Sequence, residues 1–166
     1  MNRNNAFQKF SSLFRRRPSA MAFISGSTAF PAITGTVRFY QSNLGVISVA
    51  EITGLPDYRE WCKSPVFGFH IHEGNECAGD LQDQFSKTRG HYNPYNCAHP
   101  YHAGDMPPLF SAGGYAFSVF LTDRFTVDKI IGKTVVIHAS ADDFHTQPSG
   151  ASGEKIGCGV IQKQAF

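Results

Sequence analysis

With 166 residues, a mass of 18.3 kDa and a formal net charge of +2, the chain has the size of one domain and can bury a sizeable core. Only 17% of residues are charged and 42% are hydrophobic, which excludes an acidic or polar disordered chain. Gly and Pro follow no period and no heptads appear, so collagen and coiled coils are excluded too. The charge is too small to argue for a nucleic-acid partner, and no apolar run approaches the roughly 20 residues a membrane helix needs.

The chain opens on a basic segment. Arg3, Lys9, Arg15, Arg16 and Arg17 precede any acid, the first of which is Glu51. Residues 18–166 then hold 10 basic and 13 acidic side chains, net −3, so the basic character belongs to the terminus. The expectation is a disordered tail over 1–18 and a folded domain over 19–166. The apolar stretch at residues 20–24 falls short of the roughly 7–15 residues of a secretory signal. The expectation is a cytoplasmic protein, with an atypical export signal in the basic segment as the alternative.

From residue 20 the chain reads as short β runs. Residues 20–24 (AMAFI), 33–41 (ITGTVRFYQ), 45–53 (GVISVAEIT), 66–72 (VFGFHIH), 115–121 (YAFSVFL), 134–138 (TVVIH) and 156–162 (IGCGVIQ) are rich in Val, Ile, Phe and Tyr. Turn residues separate them, and no long stripe of 3.6-residue period occurs. This pattern predicts an all-β sandwich or barrel. Two segments break the rhythm. Residues 73–106 and 139–155 are long, strand-poor and rich in Gly, Pro, His and Asp. Long irregular segments in a compact domain usually carry function or are disordered.

All seven His lie in or beside these two segments. His70 and His72 form His-x-His at a strand end, so both imidazoles share one face. His91, His99, His102 and Asp105 follow in one stretch. His138 closes the TVVIH strand, with Asp142 four residues later. Nitrogen-rich ligation with one carboxylate suits copper, zinc, iron or nickel, and not magnesium or calcium. Six His with Asp105 exceed the needs of one tetrahedral zinc; two metals sharing one imidazole would use them all. A Cys/His zinc site on Cys77 and Cys97 is the rival arrangement, and it leaves several His without a role.

Together, GFHIHE, RGHYNP, HPYHAGD, VVIHASADD and GEKIGCGVI resemble the bacterial branch of the copper/zinc superoxide dismutases over residues 30–162. The resemblance implies copper and zinc as cofactors, and conversion of superoxide to oxygen and hydrogen peroxide by alternating reduction and oxidation of copper. It implies His70, His72, His91 and His138 as copper ligands. His91 would bridge to zinc, with His99, His102 and Asp105 as the other zinc ligands and His91 as a proton donor. Asp142 matches an outer aspartate linking His70 to His99, and Cys77 and Cys158 match an intrasubunit disulfide. The implied fold is an eight-stranded Greek-key β sandwich or barrel with two long functional loops; the family is itself a standard example of sandwich architecture. The fifth strand would follow Asp105.

Where the family carries Arg, three residues before the last Cys, this chain has Lys155. Lys is a point charge on a flexible stem, whereas Arg presents a planar fork. Lys155 still supplies positive charge for an anionic substrate, at an expected cost in efficiency. His145 has no counterpart. Cys62 and Cys97 are left either to pair or to remain free thiols. The family includes monomers and homodimers, so both are compatible with the resemblance. A non-enzymatic relative that stores or carries metal is the alternative, opposed by the intact set of copper ligands.

Overall fold

The computed structural model describes residues 16–57 and 65–164. The expected tail therefore lies almost wholly outside the described residues. Nine strands run in chain order as β1 (Ala20–Gly26), β2 (Thr34–Ser42), β3 (Gly45–Thr53), β4 (Val66–Phe67), β5 (Phe69–His72), β6 (Leu109–Ala112), β7 (Tyr115–Thr122), β8 (Thr134–His138) and β9 (Lys155–Lys163). Helix is confined to one 3₁₀ turn, Ser86–Thr88, and one turn of α-helix, α1 (Val127–Ile130), among the described residues.

The strands form one antiparallel sheet in the order β4-β6-β7-β3-β2-β1-β9-β8-β5. β1, β2 and β3 are a meander. β3 then pairs with β7 and β9 returns to pair with β1, which is Greek-key connectivity. The two ends of the order, β4 and β5, are neighbours in sequence. Residues 66–72 read as one strand but exchange partners at Gly68. Val66 and Phe67 pair with β6, and Phe69–His72 pair with β8. The exchange nearly closes the sheet into a barrel and explains nine strands instead of eight. Glycine is required at the exchange point: a Cβ on Gly68 would sit 2.8 Å from Ser152 Cβ and 3.2 Å from His138 Cβ.

Alternation along the strands sorts the side chains. Val37 and Phe39 from β2, Ala50 and Ile52 from β3, Phe69 and Ile71 from β5, and Val135 and Ile137 from β8 join the main core. Phe39 packs edge-to-face on Phe125 at 6.3 Å and seals part of that core. The opposite faces of β5, β8 and β9 are buried as well, because the two long segments fold over them. Phe85 from the first segment packs with Val136 and the Cys77–Cys158 disulfide. That disulfide links residues 81 apart and fastens the first segment to β9.

Phe39 is fully buried, so Phe39→Ala leaves a cavity in the barrel. The expected loss is about 3–5 kcal/mol of unfolding free energy, read as a lower midpoint in denaturant titration.

Candidate metal centre

β5 is the foundation of the centre. Its Phe69 and Ile71 enter the core, so His70 and His72 must face outward under the loops. Both sides of Ile71's peptide then recruit loop backbone. Ile71 N–H donates to the Gly104 carbonyl at 2.9 Å, and Tyr92 N–H donates to the Ile71 carbonyl at 2.8 Å. These bonds set Asp105 opposite His70 and His91 opposite His72 as isolated bridges. β8 brings His138 alongside through its pairing with β5.

Two four-residue groups result. His70, His72, His91 and His138 form one; His91, His99, His102 and Asp105 form the other. Within each group all candidate ligand atoms lie within 4.8 Å of one another. His91 belongs to both. His72 Nε2 and His138 Nε2 are 3.2 Å apart in the first group. In the second, Asp105 lies 2.7 Å from His91 Nδ1, 3.1 Å from His99 Nδ1 and 3.3 Å from His102 Nδ1. Four ligands at about 2.0–2.1 Å from a tetrahedral ion stand about 3.3 Å apart, so this spacing suits zinc.

Hydrogen bonds on the far side of each ring decide which nitrogen points inward. His70 Nε2–H donates to Asp142 Oδ2 at 2.8 Å and His99 Nε2–H to Asp142 Oδ1 at 2.9 Å. His72 Nδ1–H donates to the Arg89 carbonyl at 2.8 Å, and His138 Nδ1–H to the Gly153 carbonyl at 3.2 Å. Each ring thus turns a bare nitrogen into the cluster. His70 Nδ1, His91 Nε2 and His99 Nδ1 are buried with no hydrogen-bond partner. Buried polar atoms are seldom left so, and three imidazole lone pairs in one cluster fit metal ions. Asp142 is held in turn by Phe144 N–H at 2.7 Å. Gly150 lets the loop pass close by, since a Cβ there would collide with the Asp142 carboxylate.

The electrostatics follow from burial. Desolvation lowers His70 to about 4, against the opposing hydrogen bond to Asp142. It lowers His138 to about 3, with the charge on His70 adding to the effect. His72 is pushed well below the ordinary range by the same desolvation. Burial opposes ionisation of Asp142, but bonds from His70, Phe144 and His99 hold its carboxyl well below the usual range. Burial therefore favours the neutral form of His70, His72 and His138, and hydrogen bonding the anionic form of Asp142, the forms that bind metal.

Lys155 heads β9, opposite His138 across a register shift. Its Nζ donates to Asp83 Oδ2 at 2.6 Å and to the Phe85 carbonyl at 3.2 Å. Sequence reasoning missed Asp83, because nothing local marks a carboxylate 72 residues away as a partner. Arg124 was also missed. Its Nη1 faces the carbonyls of Pro100, His102 and Asp105 at 3.0, 3.3 and 3.4 Å, bracing the loop that carries all four members of the second group. His145 stands apart from both groups, with its ring Nδ1 2.8 Å from the Asp143 carbonyl. Cys97 is a half-buried free thiol and Cys77 is in the disulfide, so the rival Cys/His site does not form. Cys62 lies outside the described residues.

Two outcomes are expected. Asp142→Ala frees one ring in each group to rotate, and metal affinity should fall about 10–100-fold in a chelator competition. In the metal-free protein, His70 and His138 bind protons less readily folded than unfolded. Stability should therefore fall as pH drops from about 6.5, the unfolded value, through the folded values of about 4 and 3, as denaturant midpoints across that range would show.

Residues 33–161 match the family profile described as copper/zinc superoxide dismutase (SODC). The chain is 32% identical over 145 residues to superoxide dismutase [Cu-Zn] 2 of Aquifex aeolicus, covering 78% of this chain and 80% of that one. It is 34% identical over 148 residues to superoxide dismutase [Cu-Zn] of Deinococcus radiodurans, covering 78% of each. The Cu/Zn superoxide dismutase of Brucella abortus shares the fold with a TM-score of 0.72 at 23% identity, over 86% of this chain and 99% of that one. The barrel, the twin ligand groups and these matches agree: the chain belongs to the copper/zinc superoxide dismutase family of oxidoreductases.

Proposed function

We propose that this enzyme dismutates superoxide at the two groups around His91. His70, His72, His91 and His138 hold copper, and His91, His99, His102 and Asp105 hold zinc. The observation that carries this reading is the membership of His91 in both groups, one buried ring offering a nitrogen to each. When bound, copper supplies one-electron exchange with superoxide, while zinc has no accessible redox change and supplies fixed charge.

The chain's own residues do the rest. Two superoxide ions and two protons yield one oxygen and one hydrogen peroxide, so protons must arrive beside a dry, cationic site. His91 Nε2 is buried and lacks a protein partner, which suits it to hold a proton and release it to the product. Water supplies the other proton. Asp105 faces Nδ1 of the same ring at 2.7 Å, where both would be ligands of zinc. Asp142 and the Arg89 and Gly153 carbonyls keep the rings of His70, His99, His72 and His138 in place, so little rearrangement accompanies each turnover. Lys155 contributes positive charge beside His138 and thereby favours an anionic substrate.

Loading with copper and zinc should give one of each per chain by elemental analysis, together with rapid superoxide consumption. His138→Ala removes a proposed copper ligand and should cost more than the roughly 10–100-fold typical of changes one layer out. A copper-loaded wild-type protein no faster than this variant would sink the assignment.

A further inference from the structure

The charge of Lys155 is met by a carboxylate from outside the proposed site. The Lys155 side chain is 15% exposed and its ammonium is bonded to Asp83, whose side chain is 39% exposed. Asp83 is held for this contact. Its Oδ1 accepts from Phe85 N–H at 2.9 Å, and its carbonyl accepts from Asp80 N–H at 3.1 Å and Ser86 N–H at 3.0 Å. Asp80 Oδ1 receives the N–H groups of Gln82 and Asp83, each at 2.9 Å. Ser86 Oγ donates to Asp80 Oδ2 at 3.2 Å. The whole turn is fastened to β9 by Cys77–Cys158, three residues beyond Lys155. A turn so internally bonded aims one carboxylate oxygen at the ammonium. No member of either ligand group takes part in it.

We propose that Asp83 is a positioning residue that pins the Lys155 ammonium to the loop and offsets its charge, so limiting how strongly the metal centre draws small anions. The inference rests on the dismutase reading, in which superoxide is the anion attracted. An unpaired ammonium acts on an approaching anion as a full charge. Paired with a carboxylate at 2.6 Å it acts as a dipole, whose field falls off faster with distance. The long-range attraction then comes mostly from the metal ions, and Lys155 adds directional bonding close in.

Asp83→Asn tests this, because the retained Oδ1 still accepts from Phe85 N–H while the charge disappears. The probe is azide, a small monovalent anion, titrated into the copper- and zinc-loaded protein and followed by its visible spectrum. Asp83→Asn should bind azide about two- to threefold more tightly at low salt. The gain should vanish near 1 M salt, where the Debye length is about 3 Å. Lys155→Gln should bind azide more weakly than wild type, and adding Asp83→Asn to it should recover part of the loss. Hydrogen exchange of the amides at residues 78–88 separates charge from mere clamping. Lost protection without tighter azide binding would show a clamp alone and overturn the proposal, as would equal azide affinity in wild type and Asp83→Asn. Failure of the protein to take up copper would sink the site assignment and this inference with it. Normal copper uptake with no response of azide to Asp83 would sink this inference only.

Discussion

The centre depends on one constraint: a buried imidazole must have both nitrogens accounted for. Leaving either without a partner costs desolvation energy, and charging the ring inside the protein costs more. The chain meets the constraint from outside the cluster. Asp142 takes an N–H from His70 and one from His99, while the Arg89 and Gly153 carbonyls take those of His72 and His138. Each bond leaves one lone pair pointing inward, and the lone pairs that find no protein partner define where cations belong. Asp142 matters doubly. A single carboxylate couples a ring of the first group to a ring of the second, so the two groups cannot shift independently.

That constraint explains why the site sits on the outside of the barrel wall. The interior is filled by Phe69, Ile71, Val135 and Ile137, whose strand neighbours must then face away from it. Those outward positions would meet water if the loops did not cover them. Coverage comes from backbone pairing on Ile71, from the disulfide and from packing of Phe85 on Val136. Local order in the loops is therefore a consequence of the strand to which they dock. The partner exchange at Gly68 belongs to the same logic. It lets one short stretch nearly close the barrel with Val66 and Phe67 and then present two imidazoles.

Much of this is legible in the sequence, for physical reasons. A period of two tells which residues of a strand share a face, so His70 and His72 declare themselves as a pair. Their number, with one aspartate, implies more than one metal. The strand runs stand out because β-branched and aromatic residues are bounded by turn formers. The exchange at Gly68 is not legible, since hydrogen-bond partners leave no trace in the pattern of a single strand. Nor are the roles of Asp83 and Arg124. Both act through side-chain contacts to segments distant in the chain, and a lone charged residue in a loop looks like any solvated one.

The total charge of +2 says little about an anionic substrate, because five of the basic residues precede residue 18. What an approaching anion meets is local. The carboxylates near the centre are not without partners. Asp142 is occupied by two imidazoles and a backbone amide, and Asp143 by the amides of His145 and Thr146 and the Thr146 hydroxyl. Lys155 does not stand as a free positive charge. Lys155 is offset by Asp83, whereas Asp142 and Asp143, bonded to amides, a hydroxyl and imidazoles, keep their negative charge. Bound metal ions would then supply most of the positive charge an anion meets there. In such a site the attraction of an anionic substrate would depend on occupancy by metal.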